Sequence, residues 1–209
     1  MFKKIFLRVV KIYKSDSPSL TIVGVGPGDP SLLTIAAVDS IKKAKVIIFP
    51  VSDDNKKSFA AEIVKKYTKF KNKIPIIFPM AREGFDPDEI WSNAVEKIVK
   101  FIQNGESVVL LCLGDTSLFA SSSNILRIIK NNYPEIITKT IPGISSLSAA
   151  AALNDFDLVK KGETLIIKEC PSSNSELTSI IRQSRGNKTV LAIMKVGKRW
   201  NLVREILKN

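Results

Sequence analysis

The apolar run Leu20-Thr21-Ile22-Val23-Gly24-Val25 passes directly into Gly26-Pro27-Gly28-Asp29-Pro30 and then into an amphipathic stretch. A continuous apolar run of this kind suits a strand buried on both faces, and such strands belong to parallel sheets covered by helices. The pattern then recurs. Strand-like runs at 46–50, 73–80, 107–115 and 137–143 alternate with helical segments at 31–44, 59–67, 88–105 and 122–132. In the first helix Leu33, Ala37, Ile41 and Ala44 fall on one face; in the third, Ile90, Ala94, Ile98 and Phe101 do so. After Pro142-Gly143 the pattern restarts with a small-residue helix at 145–154 and strands at 163–169 and 189–196, with a polar helix between them. A closing helix begins at Arg199, with Trp200, Val203 and Leu207 in a stripe that needs a partner surface. The alternation predicts an α/β fold with largely parallel sheets. The expected organisation is a leader at 1–19, an N-terminal α/β domain at 20–142 and a C-terminal α/β domain at 143–209.

Composition removes several chemistries. Among 209 residues there is no histidine, which excludes Ser-His-Asp and Cys-His catalysis and HExxH zinc sites. The two cysteines, Cys112 and Cys170, lie far apart and carry no metal-ligand spacing, so neither a metal site nor a disulfide framework is expected. Reduced thiols fit a cytoplasmic setting. No apolar run approaches the roughly 20 residues that span a bilayer. The leader opens like a signal peptide, but Arg8 and Lys11 interrupt its apolar core and no small-residue cleavage site follows. A net charge of +12 favours an anionic partner. That partner could be nucleic acid, a membrane surface or an acidic small molecule, and the lysine-rich bias can equally reflect the base composition of the gene; the lysines are scattered, without the aromatic interleaving of single-strand binders.

Four segments sit where ligands bind in open α/β sheets, at strand ends. Gly24-Val25-Gly26-Pro27-Gly28-Asp29-Pro30 permits tight turning and close approach of a ligand. It is not the dinucleotide fingerprint, because Asp29 stands where the last glycine belongs, and no Gly-Lys-Ser/Thr makes it a P-loop. Leu113-Gly114-Asp115-Thr116-Ser117-Leu118-Phe119 brings a carboxylate to the end of a buried strand, able to accept from an amine or hydroxyls, or to cap the next helix. Ile141-Pro142-Gly143-Ile144-Ser145-Ser146 leads from strand to helix, where Ser145 or Ser146 can cap and free N–H groups can hold a carboxylate. Met194-Lys195 ends the last strand; alone, a core methionine is the default reading.

In this order the four segments resemble the tetrapyrrole methylase family, with its GxGPGDP loop, GDP-like loop, PG(I/V)(S/T)S turn and Met-bearing strand. The resemblance covers residues 20–209. IIFPM at 76–80, LGDTSLFAS, PGISSLSAAAA and MKVGKRWNLVREIL are similar to the branch that methylates C20 of precorrin-2. It implies a two-domain tetrapyrrole methylase fold that binds S-adenosylmethionine as methyl donor in a trough between domains, acting in cobalamin biosynthesis as a homodimer. By motif, Leu113, Gly114, Asp115 and Leu118 contact the methionine and ribose parts, Ser145 and Ser146 the domain-junction side, and Met194 the adenine. Pro27 and Asp29 belong to the substrate-facing loop. Thr116 stands where many members carry Pro. The family continues past the MKVG helix, so the second domain is expected to be incomplete at its C-terminus, with a loosened structure. The implied partner is an anionic tetrapyrrole, precorrin-2 or its cobalt form, with no nucleic acid or membrane involved. The rival readings are a sibling methylase acting on another corrin intermediate, or a non-catalytic basic binding module.

Overall fold

The computed structural model describes residues 17–52, 57–78, 87–185 and 188–208. Most of the expected leader, and the Pro79-Met80 end of the IIFPM segment, lie outside them. The chain divides into two compact units, one through Ser146 and one from Leu147. Pro142-Gly143, where the sequence pattern restarts, falls inside the first.

In the first unit five parallel strands form one sheet: β1 (Ser19–Gly24), β2 (Val46–Val51), β3 (Asn72–Ile77), β4 (Val108–Cys112) and β5 (Ile137–Ile141), in the order β3-β2-β4-β1-β5. Every residue of β1 and β4 is buried, Ser19 and Thr21 included, as the continuous apolar runs require for central strands. Odd-numbered side chains of β1 and β4 (Val23, Val109, Leu111) pack with Ala37 and Ile41 of α1 (Ile35–Lys43) and Ala60 and Ile63 of α2 (Phe59–Ile63). Even-numbered ones (Leu20, Ile22, Leu110, Cys112) pack with α3 (Pro87–Gln103) and α4 (Ser122–Asn132). The chain moves from β1 to β2 and β3 by way of α1 and α2, then returns to β4 and β5 by way of α3 and α4. A reversal of direction accompanied by a change of face is what right-handed crossovers impose.

Local chemistry sets the helix ends. Thr34 Oγ1 accepts from Ala37 N at 3.1 Å and starts α1. Leu33 therefore lies outside the helix, after a 3-10 turn at Pro30–Leu32. At the other end of α1, Lys71 Nζ donates to the carbonyls of Lys42 and Ala44, both at 2.6 Å. In α3 the buried stripe is Trp91, Ala94, Val95, Ile98, Val99 and Ile102; Phe101 is only partly covered. The expected stripe is thus corrected to one that is wider and rotated. Phe78, of the IIFPM segment, meets Trp91 edge-on with ring centroids 4.8 Å apart, so that segment helps build the core.

The second unit contains most of α5 (Ser146–Leu153), then β6 (Thr164–Glu169), α6 (Asn174–Ser184), β7 (Thr189–Met194) and α7 (Trp200–Lys208). β6 and β7 pair in parallel. Leu177, Ile181 and Val203 form its core. Of the stripe on α7, only Val203 is buried; Trp200 and Leu207 are more than half exposed. Among the described residues no helix is long and apolar enough to cross a membrane.

Candidate active site

β1 and β4 are neighbours, yet the chain leaves β1 for the α1 face and leaves β4 for the α4 face. Such divergence opens a crevice at the carboxyl ends of the strands, the place where open α/β sheets bind ligands. β5, on the other side of β1, ends level with them: Val23 pairs with Ile141 and Gly24 with Cys112. Three of the four motif loops therefore share one edge.

Backbone contacts lock these loops together. Gly114 N donates to Gly26 O at 2.8 Å and Gly26 N returns to Gly114 O at 3.2 Å. A Cβ on Gly24 would stand 2.7 Å from Gly143 Cα and 2.9 Å from Gly114 O; one on Gly143 would collide with Gly114 O. Only glycine permits this approach. Gly114 itself has φ +75°, with open space where a Cβ would point.

Asp115 is tied into the same cluster. Its Oδ2 accepts from Gly143 N at 3.1 Å, and its Oδ1 accepts from Ser117 N at 2.8 Å and from the Ser117 hydroxyl. Partial burial pushes its pKa up, but the bonds from Ser117, Gly143 and Thr116 outweigh this and hold it below the ordinary carboxylate value. Asp115 is not a helix cap: α4 begins only at Ser122, after Ser121. Beneath the loop, the Cys112 thiol donates to Asp115 O at 3.6 Å and Leu113 O at 3.7 Å, and burial raises its pKa. Gly24 and Ser117 lie in motifs visible in the sequence, but their roles here, close approach to Gly143 and the bonds to Asp115, join separate residues and show only in the fold.

The remaining residues named from sequence have varied surroundings. Leu113 is 48% exposed and Leu118 half-buried. Pro27 and Leu113 line a common cavity of about 310 Å³. Asp29 turns back on its own chain, accepting from Ser31 N at 2.7 Å, which holds its pKa low. Ser145 precedes α5 and Ser146 begins it. Met194 ends β7 in the second unit, where its carbonyl accepts from Cys170 N at 2.8 Å.

The model for Tetrapyrrole (Corrin/Porphyrin) Methylases matches residues 19–209. The chain belongs to this family. Among tetrapyrrole methylase relatives, the probable cobalt-precorrin-2 C(20)-methyltransferase of Methanocaldococcus jannaschii is 39% identical, over 69% of this chain and 61% of that protein. The cobalt-precorrin-2 C(20)-methyltransferase of Salmonella typhimurium is 25% identical, over 90% of this chain and 77% of that protein. The chain thus spans less than two thirds of the first relative's length. In fold, it is similar to the crystal structure of a cobalt precorrin-4 methyltransferase, with a TM-score of 0.67 and 20% identity, over 91% of this chain and 74% of that one. The tetrapyrrole methylase fold expected from the motifs is therefore the fold observed.

Proposed function

We propose that this chain transfers a methyl group from S-adenosylmethionine to C20 of precorrin-2 or its cobalt form, in cobalamin biosynthesis. What carries the reading is the convergence of three motif loops at the β1–β4 crevice in a chain whose relatives bear C(20)-methyltransferase names.

The crevice fits such a donor by its chemistry. Asp115 is ionised at neutral pH, so its negative charge suits the ammonium of such a donor. The space over Gly114 is open. Ser145 and Ser146 stand at the head of α5, where N–H groups face an anion well. When bound, the donor supplies an electrophilic sulfonium methyl. The electron-rich meso carbon of a reduced tetrapyrrole would take the methyl as the neutral thioether S-adenosylhomocysteine leaves, and its proton would then pass to water; neither step needs imidazole, which suits a chain without histidine. The protein's task is in-line positioning, worth about 7–11 kcal/mol at best. The lysine-rich surface draws in a substrate carrying many carboxylates.

Two further readings accompany it. The free thiols of Cys112 and Cys170 fit a cytoplasmic enzyme. α5 is apolar nearly all round, yet its Leu153 is 84% exposed; a homodimer would cover such a surface.

The test is incubation with precorrin-2 and with its cobalt form, using a carbon-13-labelled methyl donor, followed by NMR of the product. A labelled methyl on C20 is expected. Label only on another carbon reassigns the chain to a sibling reaction, and donor binding without transfer to either substrate sinks the proposal.

A further inference from the structure

We infer that the cavity between the Gly24–Pro30 loop and α2 holds one pyrrole-type ring of the macrocycle, and that Phe59 is the residue that grips it; this rests on the methylation reading above. The cavity, of about 310 Å³, is bounded by Pro27 and Pro30 from the loop, Phe59, Glu62 and Ile63 from α2, and Leu113 beyond β4. Phe59 is 78% exposed, so its ring is not part of the core. It is nonetheless fixed in place at its backbone. Ser58 caps α2, its Oγ accepting from Ala61 N at 3.3 Å, and Phe59 is the first residue of the helix.

The lining selects the occupant. It is apolar except for Glu62, whose carboxylate is paired with Lys65 Nζ at 3.3 Å. An aromatic ring with apolar flanks suits a flat conjugated ring, and Glu62 at the rim is the one charged side chain in the lining. The volume lies at the small end of ligand pockets, enough for one ring and its bridging carbons but not for four. The location agrees. Leu113 opens onto this cavity, whereas Asp115, two residues on, turns the other way to Gly143 after β5. Two adjoining subsites therefore flank Gly114, a polar one for the donor and an apolar one for the ring that accepts. Methyl transfer needs that adjacency. The peripheral carboxylates of the macrocycle would remain outside, toward solvent and the surface lysines.

The measurement is steady-state kinetics of wild type, Phe59→Ala and Phe59→Tyr, with S-adenosylmethionine affinity by calorimetry. Precorrin-2 binding without donor is followed separately by absorbance titration. Because Phe59 packs into no core, the melting temperature of the alanine variant should match wild type. Expected is a rise of about tenfold in KM for precorrin-2 in Phe59→Ala, the loss of one ring contact. The turnover number and donor affinity stay unchanged, and Phe59→Tyr restores KM. An unchanged KM overturns the inference. So does a loss of donor affinity instead, which would make the cavity an adenine site. If wild type binds precorrin-2 without methylating it, the methylation reading fails while the ring subsite is still judged by the same tenfold change in dissociation constant. If wild type does not bind precorrin-2, both fall.

Discussion

Each oxygen of the Asp115 carboxylate has its own partner, Ser117 for Oδ1 and Gly143 for Oδ2. The group thus ties the loop after β4 to the loop after β5. Removing it with Asp115→Ala should weaken S-adenosylmethionine binding by about 1–3 kcal/mol, the scale of a charge-assisted bond. Calorimetry on folded protein decides; unchanged affinity would leave Asp115 only its stapling role. The same carboxylate has a pH signature. Its folded pKa lies below the ordinary 3.8, so its contribution to stability is complete above that value and is lost as pH falls through the lower folded one. Acid melts of wild type should therefore lose more stability below about pH 4 than those of Asp115→Asn.

At the scale of elements, the three loops depend on glycines for different reasons, and substitutions should separate them. Gly114→Ala places a Cβ in open space but on a backbone at φ +75°, a strain of about 1–2 kcal/mol. Gly143→Ala drives a Cβ into the carbonyl of Gly114 and to 2.8 Å from Gly24 C, backbone that cannot rotate aside. Thermal melts should show the larger loss for Gly143→Ala; equal losses would mean that the loops can part cheaply. The strands of this unit are legible in sequence because central parallel strands are apolar throughout, as β1 and β4 are. The stripe of α3 is legible only approximately. A helix laid on a sheet buries a face wide enough to take Trp91 and Val95 as well as Ala94 and Ile98, and counting in threes and fours from Ile90 traces one edge of it. For the site, glycine-rich strand ends mark the loops, but the Gly26–Gly114 bridge and the Gly143–Asp115 bond join distant segments and leave no local pattern. Phe59 carries no motif signal in the sequence; its exposed ring beside Pro27 shows only in the fold.

Across the whole molecule the two units differ in how much apolar surface they bury. In the first, a five-stranded sheet is covered on both faces, with Leu20, Ile48, Leu110, Ile98 and Ile125 on one side and Val23, Leu111 and Ile41 on the other. In the second, two paired strands rest on a core of Leu177, Ile181 and Val203. Two strands alone are marginal in water, and stability follows buried apolar area at roughly 25 cal/mol per Å². The side chains beside that small core are open: Trp200 and Leu207 flank a cavity of about 510 Å³ along α7 and β7. The second unit should therefore open at lower free energy than the first. Hydrogen exchange on the free chain reads this directly. Amides of Ile166, Ile167 and Leu191, in the β6–β7 ladder, should exchange well before those of Ile22 and Leu110, in the β1–β4 ladder. Equal protection would mean that burial among Leu177, Ile181 and Val203 is sufficient by itself, and that the cavity along α7 weakens nothing.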